Sequence, residues 1–206
     1  MQKPKISIVL LIYSLDEDLD HMAENCFSSL KGKGDEIIVV DNGSPVPPQW
    51  ALSGANKYVK LKDNVGYVRG MNYGAKLATG DYVVFVTSDT ELLDGELSEL
   101  CFPNCIRLPQ IITDNPDYKQ REDGVFYSAP NDKSLLHDED YFFYFSDVDL
   151  FKRARKSGIL VERKNNVVVY HSGWVTTTKE GKKKEMYNID KEVFLRKWGK
   201  LPKGEK

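Results

Sequence analysis

Residues 64–89 read NVGYVRGMNYGAKLATGDYVVFVTSD, and this stretch decides the fold. An Asn-Val-Gly loop leads into a segment rich in small residues. Gly80-Asp81 interrupts it, an apolar run from Tyr82 to Val86 follows, and Asp89 stands just past the end of that run. A helix followed by a strand that is apolar on both faces is the unit of a parallel α/β sheet. In such sheets the carboxyl ends of the strands form the ligand-binding edge. The order predicts a helix over 67–79 closed by Gly80, a strand over 82–86, and a carboxylate delivered to that edge.

The flanking sequence repeats the pattern. Residues 6–12 are apolar apart from Ser7, and 36–40 form a second apolar run that closes on the turn phrase Asp41-Asn42-Gly43-Ser44. Between them, 16–30 place Met22, Cys26, Phe27 and Leu30 at helical spacing. Pro45, Pro47 and Pro48 predict an extended surface loop, and 58–61 a short strand. The middle, 92–140, is less regular, with strands expected at 106–108 and 125–127 and turns at Asn115-Pro116 and Asn131-Asp132. A helix over 148–156, opened by Asp147 and closed by Ser157-Gly158, precedes a strand at 166–171. A last helix over 185–198 carries Ile189, Val193, Phe194 and Trp198 on or near one side. The fold class is α/β: a Rossmann-like, mixed but mostly parallel sheet with helices on both faces. One domain spans 1–184, and 185–206 form its C-terminal helical extension.

The chain has 206 residues, enough for one substantial core, and a net charge of −2 that supplies no global pull toward nucleic acid or anionic lipid. Lys179, Lys182, Lys183 and Lys184 concentrate charge locally, as a solvated turn or as a docking patch for an anionic acceptor or membrane. No apolar run approaches the ~20 residues of a membrane span. The first five residues do not resemble a signal peptide. Three cysteines suit a reducing compartment, so a cytoplasmic protein is expected, with a peripheral membrane position as the variant. Cys101 and Cys105 have no second pair to complete a zinc site.

The chemistry-bearing residues follow from the elements. Gly66, Gly70 and Gly74 line one helix face, which lets the backbone approach a sheet or a ligand. Their spacing is neither G-x-G-x-x-G nor G-x-x-x-x-G-K-[ST]. Arg69 and Asn72 in the same segment can reach phosphate or ribose oxygens. Asp89 either caps its turn or offers oxygen to a hard divalent cation. Asp147 and Asp149 at a helix start either satisfy free N–H groups or supply a general base, and the helix dipole is expected to lower that base's pKa. His171 ends an apolar strand and points toward the same edge, although imidazole suits transition metals better than Mg2+.

In this order the pieces resemble a family 2 glycosyltransferase with the GT-A fold, over roughly residues 5–199. Ile12-Tyr13-Ser14 stands where the family ends its first strand, and Val40-Asp41-Asn42-Gly43-Ser44 matches the phrase that ends its second. Asn64-Val65-Gly66 and Asn72-Tyr73-Gly74 match its Asn-x-Gly helix. Ser146-Asp147-Val148-Asp149-Leu150, with Arg153 and Gly158, resembles its acceptor-side acidic motif, and Lys197-Trp198-Gly199 its late tripeptide. Two positions depart from the pattern: Thr87-Ser88-Asp89 keeps only the last carboxylate of an Asp-x-Asp metal motif, and Ser146 replaces a glutamate.

The resemblance implies an inverting transferase that uses a nucleotide-diphosphate sugar donor and a hydroxyl acceptor. That acceptor is a glycan, a lipid-linked sugar, a protein or a modified nucleic acid. Tyr13 and Asp41 would hold base and ribose. Asn64, Gly66, Arg69 and Asn72 would line the donor pocket. Asp89, with His171, would hold Mn2+ or Mg2+, and Asp147 would be the base. The rivals are a noncatalytic sugar-binding or scaffold domain and a sugar nucleotidyltransferase. The latter needs a Gly-rich basic loop that Tyr13-Ser14-Leu15-Asp16 does not provide.

Overall fold

The computed structural model describes residues 3–114, 118, 122–173 and 183–202. Among them the strands are β1 (Ile6–Ile12), β2 (Glu36–Asp41), β3 (Lys57–Lys60), β4 (Tyr82–Thr87), β5 (Thr90–Asp94), β6 (Cys105–Ile112), β7 (Phe126–Pro130) and β8 (Leu160–His171). The helices are α1 (Glu17–Leu30), α2 (Gln49–Gly54), α3 (Gly66–Leu77), α4 (Ser146–Lys156) and α5 (Lys183–Trp198). All eight strands join one sheet in the order β3-β2-β1-β4-β7-β6-β8-β5. β1 lies parallel between β2 and β4, with Ile8 opposite Ile37 and Val84. β7 runs antiparallel to β4 and to β6, β8 is parallel to β6, and β5 is antiparallel to β8. β7 and β5 therefore oppose the other strands, as a mixed, mostly parallel sheet requires.

β1 is buried at every position because helices cover both faces. Ile6, Ile8, Leu10 and Ile12 pack with Ala23, Cys26, Phe27 and Leu30 of α1 and Ala51 of α2. Val9 and Leu11, one residue out of phase, pack with Tyr67, Val68 and Met71 of α3, Leu150 and Phe151 of α4, and Phe194 of α5. The period-2 alternation of one strand thus separates two cores. Asp16 opens α1, its carboxylate accepting the Leu19 N–H at 3.0 Å. No helix among the described residues is long and apolar enough to cross a membrane.

The glycine face of α3 is a packing surface at two of its three positions. A Cβ on Gly70 would lie 2.5 Å from Leu11, and one on Gly74 would lie 2.3 Å from Val9. Gly80 does not close the helix as expected. α3 ends at Leu77, and Gly80 is required because a Cβ there would meet the Ser7 nitrogen at 2.7 Å and the Lys5 oxygen at 2.9 Å. Three further differences have physical causes. α2 follows the proline run directly, held where Trp50 packs on Phe27 and its indole N–H donates to Asp20. β5 is short and acid-flanked, and becomes a strand by pairing with β8. β8 begins at Leu160 because its polar first half pairs with β6. The Asn115-Pro116 turn, Lys179 and Lys182 lie outside the described residues.

Helix α5 is part of the same core. Phe194 is fully buried, whereas Ile189 is 54% exposed and faces away from it, contrary to the expected apolar side. In its place Asp190 turns inward with no exposed surface. Its carboxylate accepts the backbone N–H groups of Phe142 (2.8 Å), Phe143 (2.8 Å) and Tyr144 (2.7 Å). These donors belong to the loop that leads into α4. Each buried donor left unpaired costs ~1–3 kcal/mol. Asp190→Ala should therefore lower unfolding free energy by on the order of 3 kcal/mol in urea titration. A midpoint equal to that of the native protein would show that the loop keeps its shape without this clamp.

Candidate functional site

The strand directions gather the sequence motifs at one edge of the sheet. β1 ends there at Tyr13-Ser14, β2 at Asp41–Ser44, β4 at Thr87–Asp89 and β8 at His171. The antiparallel strands reach the same edge with their beginnings, so Gly124-Val125 precedes β7 there, with the Thr87 N–H donating to the Val125 carbonyl at 2.9 Å. Thr90 of β5 stands opposite His171. α3 starts at this edge with Gly66.

On the β2 side, side chains build a rigid loop pair. Asn42 accepts the Val65 N–H (2.9 Å) and donates to Asn64 Oδ1 (2.8 Å) and to the Gly66 carbonyl (3.3 Å). Asn64 Oδ1 also accepts the Gly66 N–H at 2.9 Å. Gly66 has φ +87°, and a Cβ there would lie 2.7 Å from the Phe142 carbonyl, so this glycine serves a turn and a close approach together. Ser44 Oγ accepts the Ser14 N–H at 2.8 Å, tying the ends of β1 and β2. Asn42 was not singled out from sequence as a site residue, although the Asp-Asn-Gly-Ser phrase contains it. Tyr13 is half-buried at this edge.

Three further residues expected in the donor pocket already have partners within the protein. Asp41 is fully buried, and its oxygens accept from the Ser44 N–H (2.7 Å) and the Tyr58 hydroxyl (2.7 Å), with Lys60 at 3.6 Å. It shapes the loop from within, because an apolar strand end leaves no water to satisfy a carboxylate. Asn72 is also buried, and its amide makes a two-way bridge to the His137 backbone, both bonds at 2.9 Å. Arg69 is exposed and lies against Glu139. Asn72 and Arg69 therefore anchor the 137–139 loop to α3.

The acidic side separates four carboxylates by role. Asp149 is fully buried and accepts from Arg153 Nε, Lys197 Nζ and the Trp198 indole N–H, each at 2.8 Å, so it joins α4 to α5. Asp190 clamps the 142–144 loop. Asp89 and Asp147 remain. Thr87 Oγ1 donates to Asp89 Oδ1 at 2.6 Å, and His171 Nε2 lies 3.1 Å from Asp89 Oδ2. Burial pushes the Asp89 carboxyl up, but His171 and the Thr87 hydroxyl together outweigh it and hold the group below the usual carboxylate range. Thr87, two residues before Asp89, thus presents a hydroxyl to that carboxylate and not a second negative charge.

Asp147 differs from the sequence expectation. It lies in the first turn of α4 behind Phe145, a residue with φ +60°, and accepts the N–H groups of Val148 and Gly124, both at 2.8 Å. Burial nevertheless dominates and pushes its pKa up to about 6, where the helix dipole alone would have lowered it. Asp89 and Asp147 are joined through one short strap. Thr87 Oγ1 also lies 3.2 Å from the Val125 carbonyl, and the neighbouring Gly124 N–H reaches Asp147. Tyr67 Oη donates to the Gly124 carbonyl at 2.8 Å between them.

Asp89 and His171 bring a carboxylate oxygen and a ring nitrogen, donor types that divalent cations accept, to 3.1 Å, where they are hydrogen-bonded to each other. Among the described residues no group of three or more His, Cys, Asp or Glu side chains could hold a metal ion. All three cysteines are free thiols. Two surface recesses, one at the opposite sheet edge around Glu36 and Asn56 and one beside the end of α4, contain none of these residues.

The fold is that of GT-A glycosyltransferases. The structure superposes on residues 1–349 of TarS from S. aureus with a TM-score of 0.64 at 16% identity, covering 82% of this chain and 60% of that one. GalNAc-T7, solved with UDP, GalNAc and Mn2+, gives 0.65 at 12% identity over 82% of this chain and 43% of that one. The mannosyltransferase PcManGT from Pyrobaculum calidifontis, in complex with GDP-Man and Mn2+, gives 0.63 at 15% identity over 85% and 59%. This chain thus spans less than two thirds of each of these proteins. No curated protein matches it in sequence. The sequence profile of glycosyl transferase family 2 matches residues 7–176, and over that span, most of its length, this chain belongs to glycosyl transferase family 2.

Proposed function

We propose that the protein transfers a sugar from a nucleoside-diphosphate sugar to an acceptor hydroxyl with inversion at the anomeric carbon. One observation carries this reading: Asp89, its carboxyl held below the usual range, and Asp147, pushed up to about 6, stand at one sheet edge and are linked through the Gly124-Val125 strap. The nucleotide sugars and Mn2+ in the complexes of GalNAc-T7 and PcManGT support the same donor class and a divalent cation here.

The residues divide the work by position. The Asn42–Asn64–Gly66 loop pair and Tyr13 frame the nucleotide side, with Asp41 holding that frame from behind. Asp89 and His171 would hold Mn2+ or Mg2+, and such an ion would supply Lewis-acid neutralisation of charge on the departing diphosphate. Asp147 orients the acceptor hydroxyl and takes its proton. The hydroxyl oxygen bonds to the anomeric carbon as the bond from that carbon to the diphosphate oxygen breaks on the opposite face, so one displacement inverts the centre. A pKa of about 6 leaves Asp147 ionised at neutral pH yet basic enough to accept a proton as the new bond forms. Thr87 in place of a first metal-binding carboxylate favours a second reading, a sugar-nucleotide-binding domain without turnover. Release of nucleoside diphosphate from a donor panel separates the two.

Asp147→Asn should leave donor affinity, measured by calorimetry, within about twofold, while transfer falls roughly 10²–10⁴-fold. Undiminished turnover removes Asp147 from the base role. The base must be deprotonated to act, so kcat should rise about tenfold per pH unit below pH 6 and level off above it. A flat profile from pH 5 to 7 contradicts the assignment. Asp89→Ala should abolish the gain in donor affinity that Mn2+ provides, and an unchanged gain would place the cation elsewhere.

A further inference from the structure

We infer that Tyr67 is a positioning residue for Asp147, acting through the backbone of Gly124. This rests on the proposed base role of Asp147 for its catalytic meaning, but not for its geometry. Tyr67 is almost wholly buried on α3, and Tyr127 and Phe151 of the same core lie deeper still. Its ring packs edge-on against His137 (5.1 Å between centroids) and Phe143 (5.6 Å), which leaves the hydroxyl one direction. There it donates to the Gly124 carbonyl at 2.8 Å. The next carbonyl, Val125, accepts both the Thr87 N–H and, at 3.2 Å, lies in reach of the Thr87 hydroxyl. Two consecutive carbonyls of the strap are thus pinned from α3 and from β4. The Gly124 N–H, on the preceding peptide of the same residue, donates to Asp147 Oδ2 at 2.8 Å.

Gly124 has no room for a side chain in this arrangement. A Cβ would lie 2.7 Å from the Cβ of Asp147 and 3.1 Å from the Tyr67 hydroxyl, so the three residues fit only together. The N–H bond favours the charged form of Asp147, and weakening it disfavours that form. The other groups that bear on this carboxylate are the Val148 N–H, Asp123 from the strap and the buried hydroxyls of Tyr67 on α3 and Tyr127 on β7. Of these, Tyr67→Phe removes the Tyr67 hydroxyl alone.

The test is Tyr67→Phe, which keeps the ring and removes one hydrogen bond, with Gly124→Ala as a second variant that displaces the strap from the other side. Carboxyl 13C titration of Asp147 in the protein without substrate is read first, then the pH dependence of kcat. In Tyr67→Phe the Asp147 titration should move up by about 0.5–1 pH unit, and the acid limb of the kcat profile should move with it, while the donor KM stays within about twofold. Gly124→Ala should shift the titration in the same direction. Superimposable Asp147 titrations in native protein and Tyr67→Phe overturn the inference, whatever happens to kcat. A shifted titration in a protein that releases no nucleoside diphosphate from any donor upholds the positioning role and sinks the transferase reading instead.

Discussion

The close approach of α3 to β1 is the constraint on which the site depends. Gly70 and Gly74 let the helix backbone settle onto Leu11 and Val9 without an intervening layer of side chains. At that depth Tyr67 reaches the strap before β7, Asn72 reaches the backbone of His137, and Gly66 meets the carbonyl of Phe142. A helix lifted by one methyl group would lose all three, because each contact is at hydrogen-bond or van der Waals distance and protein interiors transmit such shifts. The glycine repeat is thus a packing device whose effects appear at the edge of the sheet.

Carboxylates near that edge fall into two physical classes. Asp41, Asp149 and Asp190 are fully buried, and each accepts two or three hydrogen bonds within the protein. They hold a strand end, a helix pair and a loop. Asp89 and Asp147 keep some surface, and their surroundings push them in opposite directions, Asp89 toward permanent charge and Asp147 toward neutrality. Two acids separated in this way can serve different steps of one reaction, which two equally solvated acids cannot. Residue type alone does not distinguish the classes. What does is whether the carboxylate keeps surface at the sheet edge or is closed off inside the protein.

The uniformly apolar strands and the glycine helix were legible in the sequence because their patterns are local. β1, β2 and β4 read as buried on both faces and are. β5, α2 and the first half of β8 were not legible, since Thr90–Asp94, Gln49–Gly54 and the Val161–Lys164 run owe their structure to partners such as β8, Phe27 and β6. At the site, the edge positions of Asp89 and His171 followed from strand ends, while that of Asp147 followed from a helix start. The burial of Asp41 and Asn72 did not, because it arises from contacts such as Asn72 with His137, 65 residues away. The direction of the Asp147 shift was hidden for the same reason: desolvation depends on neighbours that the sequence places far off.

The Asp190 clamp has a consequence for how the protein is made. The N–H groups of residues 142–144 wait for an acceptor 46 to 48 positions further along. At a synthesis rate of ~5–20 residues per second, the sheet can begin to assemble on the ribosome several seconds before that acceptor emerges. During this interval the entrance to α4 lacks this clamp and is held by contacts with α3, such as the Val68 N–H donating to the Phe142 carbonyl at 3.3 Å. Completion of this part of the site therefore waits for α5, which is translated after the sheet it closes on.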